Sequence, residues 1–372
     1  MRIMIVGDWH SKIHEEAISN ALESLGHTTI RLPWHHYFSP DTSGGRRLVS
    51  SLSGRLQNKT IAGPRVRKLN ADLQELALAQ KPDAVFVYRG THIFPESLRA
   101  IKAKRPQTVL VGYNNDDPFS EKHSRLLWRH FLHTIPIYDL MLAYRIQNLE
   151  DFRGAGAKRV ELLRSWFVKE NHRPISLSEE DRERYGCDVV FVGHYEPDSR
   201  LEMLEGIAQD GFRLRIFGPD HDWDSAIQRS AILRHLHPVK PVWGEMYNKA
   251  ISAAKVALCF LSRLNRDTYT RRVFEITALQ TLLMSEYTED LATLFKEDRE
   301  AVFFRTKEEL IRKVRKYVND DKGRQEIARC GFQRVLSDGH DVVSRMRDVV
   351  RWITEVQMDF TKEVSNVHEG RT

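Results

Sequence analysis

The chain has 372 residues, 41% hydrophobic and 29% charged, with 57 Lys and Arg against 51 Asp and Glu for a net charge of +6. That balance excludes a disordered or fibrous chain, and the length suffices for two ordinary domains. No apolar run approaches the ~20 residues that cross a bilayer. The opening MRIMIVGDWH is too short and too soon polar to read as a signal peptide. Cys187, Cys259 and Cys330 are too widely spaced for a zinc site or a disulfide framework, so a reducing, cytosolic setting is expected. A pI near 9.1 permits anionic partners: nucleotide phosphates, a membrane face or nucleic acid.

Arg2 to Val6 reads as a strand ending at Gly7, and Asp8-Trp9-His10-Ser11 as the loop after it. Glu15 to Leu25 reads as an amphipathic helix stopped by Gly26, and Thr28 to Leu32 as the next strand. This is a β-α-β opening of a parallel sheet. Its single glycine is not the GxGxxG of nicotinamide or flavin binding. His10, at the end of the first strand, suits an acid/base group or an ordinary loop residue. Residues 45–70 then hold seven cations and no acid, and Arg46 to Leu56 is amphipathic. Such a piece can lie on an anionic membrane, guide an acceptor, or pack on its own domain with a solvated basic face. No nucleic-acid signature accompanies it, so no nucleic-acid partner is expected.

Helices are expected over Leu69–Gln80, Pro95–Lys104, Ser120–Phe131 and Gln147–Ala155. Strands alternate with them at Ala84–Tyr88, Thr108–Tyr113, Tyr138–Ala143 and Val160–Leu163. Ligands of such sheets bind at the carboxyl ends of the strands. Arg89 and the cluster Asn114-Asn115-Asp116-Asp117 fall at two of these ends. Asp117, before Pro118, suits a turn or cap, and Asp116 suits a group that orients an acceptor hydroxyl or acts as a base.

The polar stretch 166–186 reads as a linker with room for one short helix. A second series follows, with strands at Asp188–Val192, ending at Gly193-His194-Tyr195, and Leu214–Phe217, ending at Gly218. Further strands are expected at Val256–Phe260 and over Leu282, Leu283 and Met284. Helices are expected at Ser199–Gln209, Tyr247–Ala254, Glu289–Phe295, Lys307–Val318, Lys322–Leu336 and Asp341–Glu355. Lys362 to Thr372 reads as a loose tail. Asp220-His221-Asp222, His235 and His237 have no metal-site spacing and read as surface loop residues, so no metal is expected. Trp223 and Trp243 suit core packing or stacking on a base or sugar.

A helix starting near Thr270 is the most informative element. Arg271 and Arg272 fall in its first turn, where positive charge opposes the helix dipole. Glu275 follows one turn later beside apolar neighbours. Two readings stand: an Arg272–Glu275 surface pair at i,i+3, or a phosphate cradle of arginine and backbone N–H groups.

Two tandem Rossmann-like domains, a fold class in which both halves are α/β and face each other across a cleft, resemble the GT-B glycosyltransferases. The C-terminal half is similar to their CgeB-like, group 1 branch. Asp188-Val-Val-Phe-Val-Gly193, Arg272-Val-Phe-Glu275, Leu282-Leu-Met-Ser-Glu286-Tyr-Thr-Glu289-Asp-Leu, and Glu326-Ile-Ala-Arg-Cys-Gly331 with His340 and Arg345 carry the resemblance; Asp116-Asp117-Pro118 matches in the first half. The resemblance implies an acceptor-side domain over 1–165, a linker over 166–186, a nucleotide-sugar domain over 187–345, and a terminal helix and tail over 346–372. It implies a retaining, metal-independent transferase that takes a nucleotide-diphosphate sugar, needs no further cofactor, and acts on a glycan, lipid-linked or protein acceptor. Glu275 would grip the ribose hydroxyls, Arg272 would meet the diphosphate, and Gly193 would let backbone approach it. His194, Gly218 and Asp267 complete the donor-side candidates, and Arg272, Asp116 and His10 are the catalytic ones. Asp267 stands eight before Glu275, where retaining relatives carry a glutamate, and Gln280 stands where relatives carry glycine. A rival reading is a non-catalytic sugar-nucleotide or glycan-binding module on the same fold.

Overall fold

The computed structural model describes residues 1–39 and 47–369. Gly45 and Arg46 of the basic stretch, and residues 370–372 of the expected tail, lie outside the described residues. The chain divides into two compact units, Met1–Arg164 with Val342–Thr372, and Ser165–Asp341.

The first unit runs β1 (Arg2–Gly7), α1 (Glu15–Ser24), β2 (Thr28–Pro33), α2 (Arg47–Thr60), α3 (Pro64–Gln80), β3 (Ala84–Tyr88), α4 (Pro95–Lys104), β4 (Val109–Asn114), α5 (Arg125–Thr134), β5 (Leu140–Ala143), α6 (Gln147–Gly154) and β6 (Val160–Leu162). The strands form one parallel sheet in the order β2-β1-β3-β4-β5-β6. The apolar runs of β3, β4 and β5 are buried throughout, as expected of strands covered by helices on both faces. α5 starts at Arg125 rather than Ser120, because residues before it form turns: Ser120 N–H donates to Asp117 O and His123 N–H to Ser120 O. α3 starts earlier than expected, at Pro64, whose fixed φ and missing N–H suit a first helical position.

The second unit runs α7 (Glu179–Tyr185), β7 (Cys187–Val192), α8 (Arg200–Gln209), β8 (Leu214–Phe217), α9 (Asp220–Arg229), α10 (Glu245–Ser252), β9 (Ala254–Cys259), α11 (Arg271–Ala278), β10 (Leu282–Glu286), α12 (Glu289–Leu294), β11 (Val302–Phe304), α13 (Lys307–Asn319) and α14 (Asp321–Ser337). Its sheet is also parallel, in the order β11-β10-β9-β7-β8. Both sheets are therefore α/β and wound alike. The first strand has the second on one side and the third on the other. The order reverses between β1 and β3, and between β7 and β9, the points where ligands of such sheets dock.

Three local readings change. Residues 220–222 are not loop. They form the first turn of α9, where Asp220 and Asp222 suit the helix dipole and Trp223 is fully buried. Trp243, by contrast, is 60% exposed and outside the core. The segment 166–186 lies within the second unit: it carries α7, with a reciprocal Ser178–Asp181 capping box, and Phe167 pairs with Asp341 through a backbone bridge.

The chain's last helix, α15 (Val342–Glu369), returns to the first unit and packs on α1. Val342, Met346, Val349, Ile353 and Val356 form its buried stripe. Arg159 Nη2 donates to Glu355 Oε2 at 2.5 Å. Residues 342–345 thus sit with the first unit, and the helix continues past Lys362 where a loose tail was expected.

Gln280 takes a left-handed backbone, φ 56°, just beyond α11. Its N–H donates to Thr277 O at 3.0 Å, and Thr281 N–H donates to Ile276 O at 3.3 Å. This pair of bonds is the Schellman cap, whose left-handed position usually holds glycine. A side chain there costs ~1–2 kcal/mol, part of which glycine's greater unfolded-state freedom offsets. Gln280→Gly is expected to raise the unfolding midpoint of the second unit by about 2–4 °C. A lowered midpoint in a thermal melt would contradict this assignment.

Candidate active site

The start of α11 is built by its cap and by what surrounds Glu275. Thr270 is extended, φ −132° and ψ 164°, and its hydroxyl accepts from Arg272 N–H at 3.1 Å. The same hydroxyl lies 3.7 Å from Cys259 Sγ, which places the helix start over the end of β9. Val273, Phe274, Ile276 and Ala278 bury the helix. That burial carries Glu275 inward until its side chain is 1% exposed.

A buried carboxylate needs partners. Arg271 Nε donates to Glu275 Oε1 at 2.6 Å and Arg272 Nη1 to Oε2 at 3.0 Å. His172 Nε2 is 3.7 Å from Oε1. His172 Nδ1 accepts the Val168 N–H at 3.1 Å, so the ring proton sits on Nε2, facing the carboxylate. The Arg272 guanidinium lies over the Tyr247 ring at 4.6 Å. The pair is therefore not a solvated surface pair: the acid is buried and only the arginines reach solvent.

Burial alone would raise the Glu275 pKa. The adjacent Arg271 and Arg272, with His172, outweigh it and hold the carboxyl well below the ordinary range. Burial keeps His172 below its usual value despite the nearby carboxylate. The Tyr247 phenol is pushed up by burial, then by Glu275. The cluster thus carries two positive charges and one negative charge near neutral pH, at the positive end of a helix.

A second cluster occupies the reversal of strand order between β7 and β9. Gly193 ends β7, and its carbonyl accepts from Trp223 Nε1 at 2.9 Å. Gly218 ends β8; a Cβ there would lie 2.2 Å from the same carbonyl oxygen. Gly218 is required for that close approach, so its role is to let the two strand ends pack. His194 is exposed and its Nδ1 pairs with Asp222 Oδ2 at 2.5 Å. Arg200 ties these ends together: Nε and Nη2 donate to the two Asp198 oxygens, each at 2.8 Å, and Nη1 donates to His194 O at 2.6 Å. Glu286, at the end of β10, accepts from Leu261 N–H at 2.6 Å and from Arg263 Nη2 at 3.1 Å.

Asp267 lies in the loop that this clamp fixes, and its N–H donates to Ser262 O at 2.9 Å. Beyond it Thr268 Oγ1 donates to Asp290 Oδ2 at 2.6 Å, and buried Tyr269 accepts the Ser165 N–H at 2.8 Å. His172, Tyr247, Arg200 and Glu286 were not singled out from the sequence as site residues. Arg200 had a usable signal. It opens α8 with a cation at the positive helix end, the same anomaly that marks Arg271.

In the first unit, Asp116 follows β4 and pairs with Arg89 Nη2 at 3.1 Å; its N–H donates to Asn114 Oδ1 at 3.1 Å. Asp117 is buried and accepts from Asn148 Nδ2 at 3.0 Å and Phe119 N–H at 3.1 Å, which is the turn role expected of it. His10 is exposed in the loop after β1. Beneath that loop, buried Glu15 accepts the Asp8 N–H at 2.8 Å. Among the described residues, no three His, Cys, Asp or Glu side chains are grouped to hold a metal ion.

Glu275→Gln leaves two arginines facing a neutral side chain. We expect it to destabilise the second unit by about 2–3 kcal/mol at pH 7, somewhat below the usual loss for a fully buried pair because the arginines reach solvent. The native carboxyl has its pKa depressed from 4.5. Its contribution is complete above that pH and is lost as pH falls toward the folded value. The deficit of the variant in denaturant titrations should be constant above about pH 5 and shrink below it. A deficit that grows on acidification would contradict the depressed pKa.

Residues 200–351 match the family described as glycosyl transferase-like. No curated protein sequence matches the chain. Among solved structures, the chain is similar to HepE of Anabaena in complex with UDP-glucose, at 12% identity, TM-score 0.65, covering 95% of this chain and 100% of that one. It is similar to sucrose-phosphate synthase of Thermosynechococcus elongatus, at 11% identity, TM-score 0.69, covering 95% and 99%. A glycosyltransferase of Rickettsia africae matches at 11% identity, TM-score 0.65, covering 95% and 98%. These structural likenesses show the fold, two parallel α/β sheets of the GT-B type. Residues 200–351 thus resemble the glycosyl transferase-like family, and the chain as a whole has the GT-B fold.

Proposed function

We propose that the Ser165–Asp341 unit holds a nucleotide-diphosphate sugar and that the chain passes the sugar to a glycan, lipid-linked or protein acceptor. The observation that carries this reading is the Arg271–Glu275–Arg272 cluster at the start of α11. Its arginines match a diphosphate, which accepts charge-assisted hydrogen bonds in the same way as a carboxylate. When phosphate oxygens take over the arginine donors, the Glu275 oxygens are released to accept two ribose hydroxyls. The depressed pKa keeps Glu275 ionised for that purpose. Gly193, His194 and Asp267 are assigned to the donor side, Gly218 to packing beneath it. HepE in complex with UDP-glucose favours uridine as the base and glucose as a sugar of the right class.

The catalytic part of the proposal rests on charge. The sugar–phosphate bond breaks as negative charge develops on the departing diphosphate, and Arg272 stabilises that charge. In this reading the arginines supply the positive charge, and neither a metal nor another cofactor is invoked. Asp116 and His10 lie at carboxyl ends of strands in the first unit and are assigned to the acceptor hydroxyl, Asp116 as the orienting group or base. Cys187, Cys259 and Cys330 are all free thiols, which favours a reducing, cytosolic setting.

Arg272→Ala is expected to lower turnover of UDP-sugar about 10²–10³-fold, while the chain still unfolds cooperatively because Arg271 continues to neutralise Glu275. Turnover within a factor of two of native would remove Arg272 from the diphosphate. The reading includes retention at the anomeric carbon, which proton NMR of the freshly formed product reads directly. An inverted product would contradict that part.

A further inference from the structure

The helix α2 is attached to its unit by the wrong face for an ordinary amphipathic helix. Gly54, Gln57, Asn58 and Ile61 follow i, i+3, i+4, i+7 spacing and make the attachments. A Cβ at Gly54 would lie 2.7 Å from Phe38 O, so the helix backbone rests directly on that carbonyl. Gln57 Oε1 accepts the Arg65 N–H at 2.9 Å. Asn58 Oδ1 accepts from Nε2 of buried His92 at 2.8 Å, and His92 is flanked by Trp34 and Phe38. Ile61 is fully buried, and Arg129 Nη2 donates to the carbonyls of both Thr60 and Ile61 at 2.7 Å.

Leu52, Arg55, Leu56 and Lys59 share the opposite face by the same spacing. Leu52 is 65% exposed and Leu56 62% exposed, and Arg55 and Lys59 are exposed beside them. Within the helix, small and polar Gly54, Gln57 and Asn58 are thus turned toward the protein, with Ile61 buried just beyond its end, while leucines and cations are presented outward. Exposed leucines one turn apart are an interaction surface rather than a solvated face. The charge says what covers it. Residues 45–70 carry seven Lys and Arg and no Asp or Glu, so a protein partner or a second copy would have to supply every anion from its own surface. A nucleic acid would use the cations but leave the leucines in water. A bilayer with anionic headgroups uses both at once, apolar side chains in the acyl boundary and cations at the phosphates.

We propose that the Leu52–Arg55–Leu56–Lys59 face of α2 docks this chain on an anionic lipid surface. The helix lies flat, held by the Gly54, Asn58 and Arg129 contacts, and does not insert as a span: no helix among the described residues is long and apolar enough to cross a membrane. The proposal stands on the first unit alone and does not depend on the donor assignment.

The test is sedimentation of the full chain with vesicles of phosphatidylcholine containing one-third phosphatidylglycerol, against pure phosphatidylcholine. The chain is expected to pellet with the anionic vesicles at 0.1 M salt, to stay soluble with the neutral ones, and to be released at high salt. Arg55→Gln with Lys59→Gln should weaken partitioning by roughly fivefold per charge. Leu52→Gln with Leu56→Gln should weaken it at least tenfold, with an unchanged thermal melt and unchanged UDP affinity, since neither pair belongs to the donor site. Three results would overturn the proposal. The native chain could remain in the supernatant with anionic vesicles. The leucine pair could bind as tightly as native, leaving charge alone as the cause. The native chain could form a concentration-dependent dimer that the leucine variant abolishes and that excludes vesicles.

Discussion

A carboxylate buried one turn into a helix cannot remain without compensation, and around Glu275 the compensation gathers groups from three segments of the second unit. Two arginines are drawn into the first turn of α11, against the helix dipole, because the acid beneath them outweighs that local cost. Tyr247 supports one guanidinium from α10, and His172 closes the carboxylate from the segment before α7. A ligand that offers phosphate oxygens to the arginines and hydroxyls to the acid would keep every partner satisfied. An arrangement that already binds an anion internally is suited to exchange it for an external one.

The rest of the unit fixes where this cluster stands. Parallel winding brings the ends of β7, β9 and β10 side by side, and Arg200 and Glu286 tie their loops together through backbone groups. The close approach of Gly218 to the Gly193 carbonyl, with Trp223 on the same oxygen, locks the neighbouring strand ends. The two departures from the family pattern fall at different ends of α11. Asp267 precedes the helix. Gln280 follows it, at the far end of an eight-residue helix about 12 Å long, where it strains a cap.

Most strands were legible because each is a short apolar run, a pattern that a doubly covered parallel sheet imposes; the three-residue β11, Val302–Phe304, was not expected. The arginine anomaly at Arg271 and Arg272 was legible for a different reason: it breaks a local electrostatic rule, and such breaks mark sites. What stayed hidden was whatever depends on distant chain meeting chain. Nothing in the sequence around Glu275 shows that it is buried, since Tyr247 and His172 come from other segments. α9 was hidden because its acidic opening resembles a loop and only Trp223, Ala226 and Ile227 mark its buried face. The second unit ends at Asp341 rather than Arg345 because the stripe on α15 finds its apolar partner on α1, which no local pattern records.

The central claim is that Glu275 exchanges its arginines for ribose hydroxyls when a donor binds. Calorimetric titration of UDP and 2′-deoxy-UDP into the native chain and into Glu275→Gln measures this directly. The account predicts that loss of the 2′-hydroxyl weakens binding to the native chain about tenfold or more, as expected for a charged hydrogen bond, and makes little difference to the variant. An equal loss in both proteins would show that Glu275 does not touch the ribose, and the account would fail.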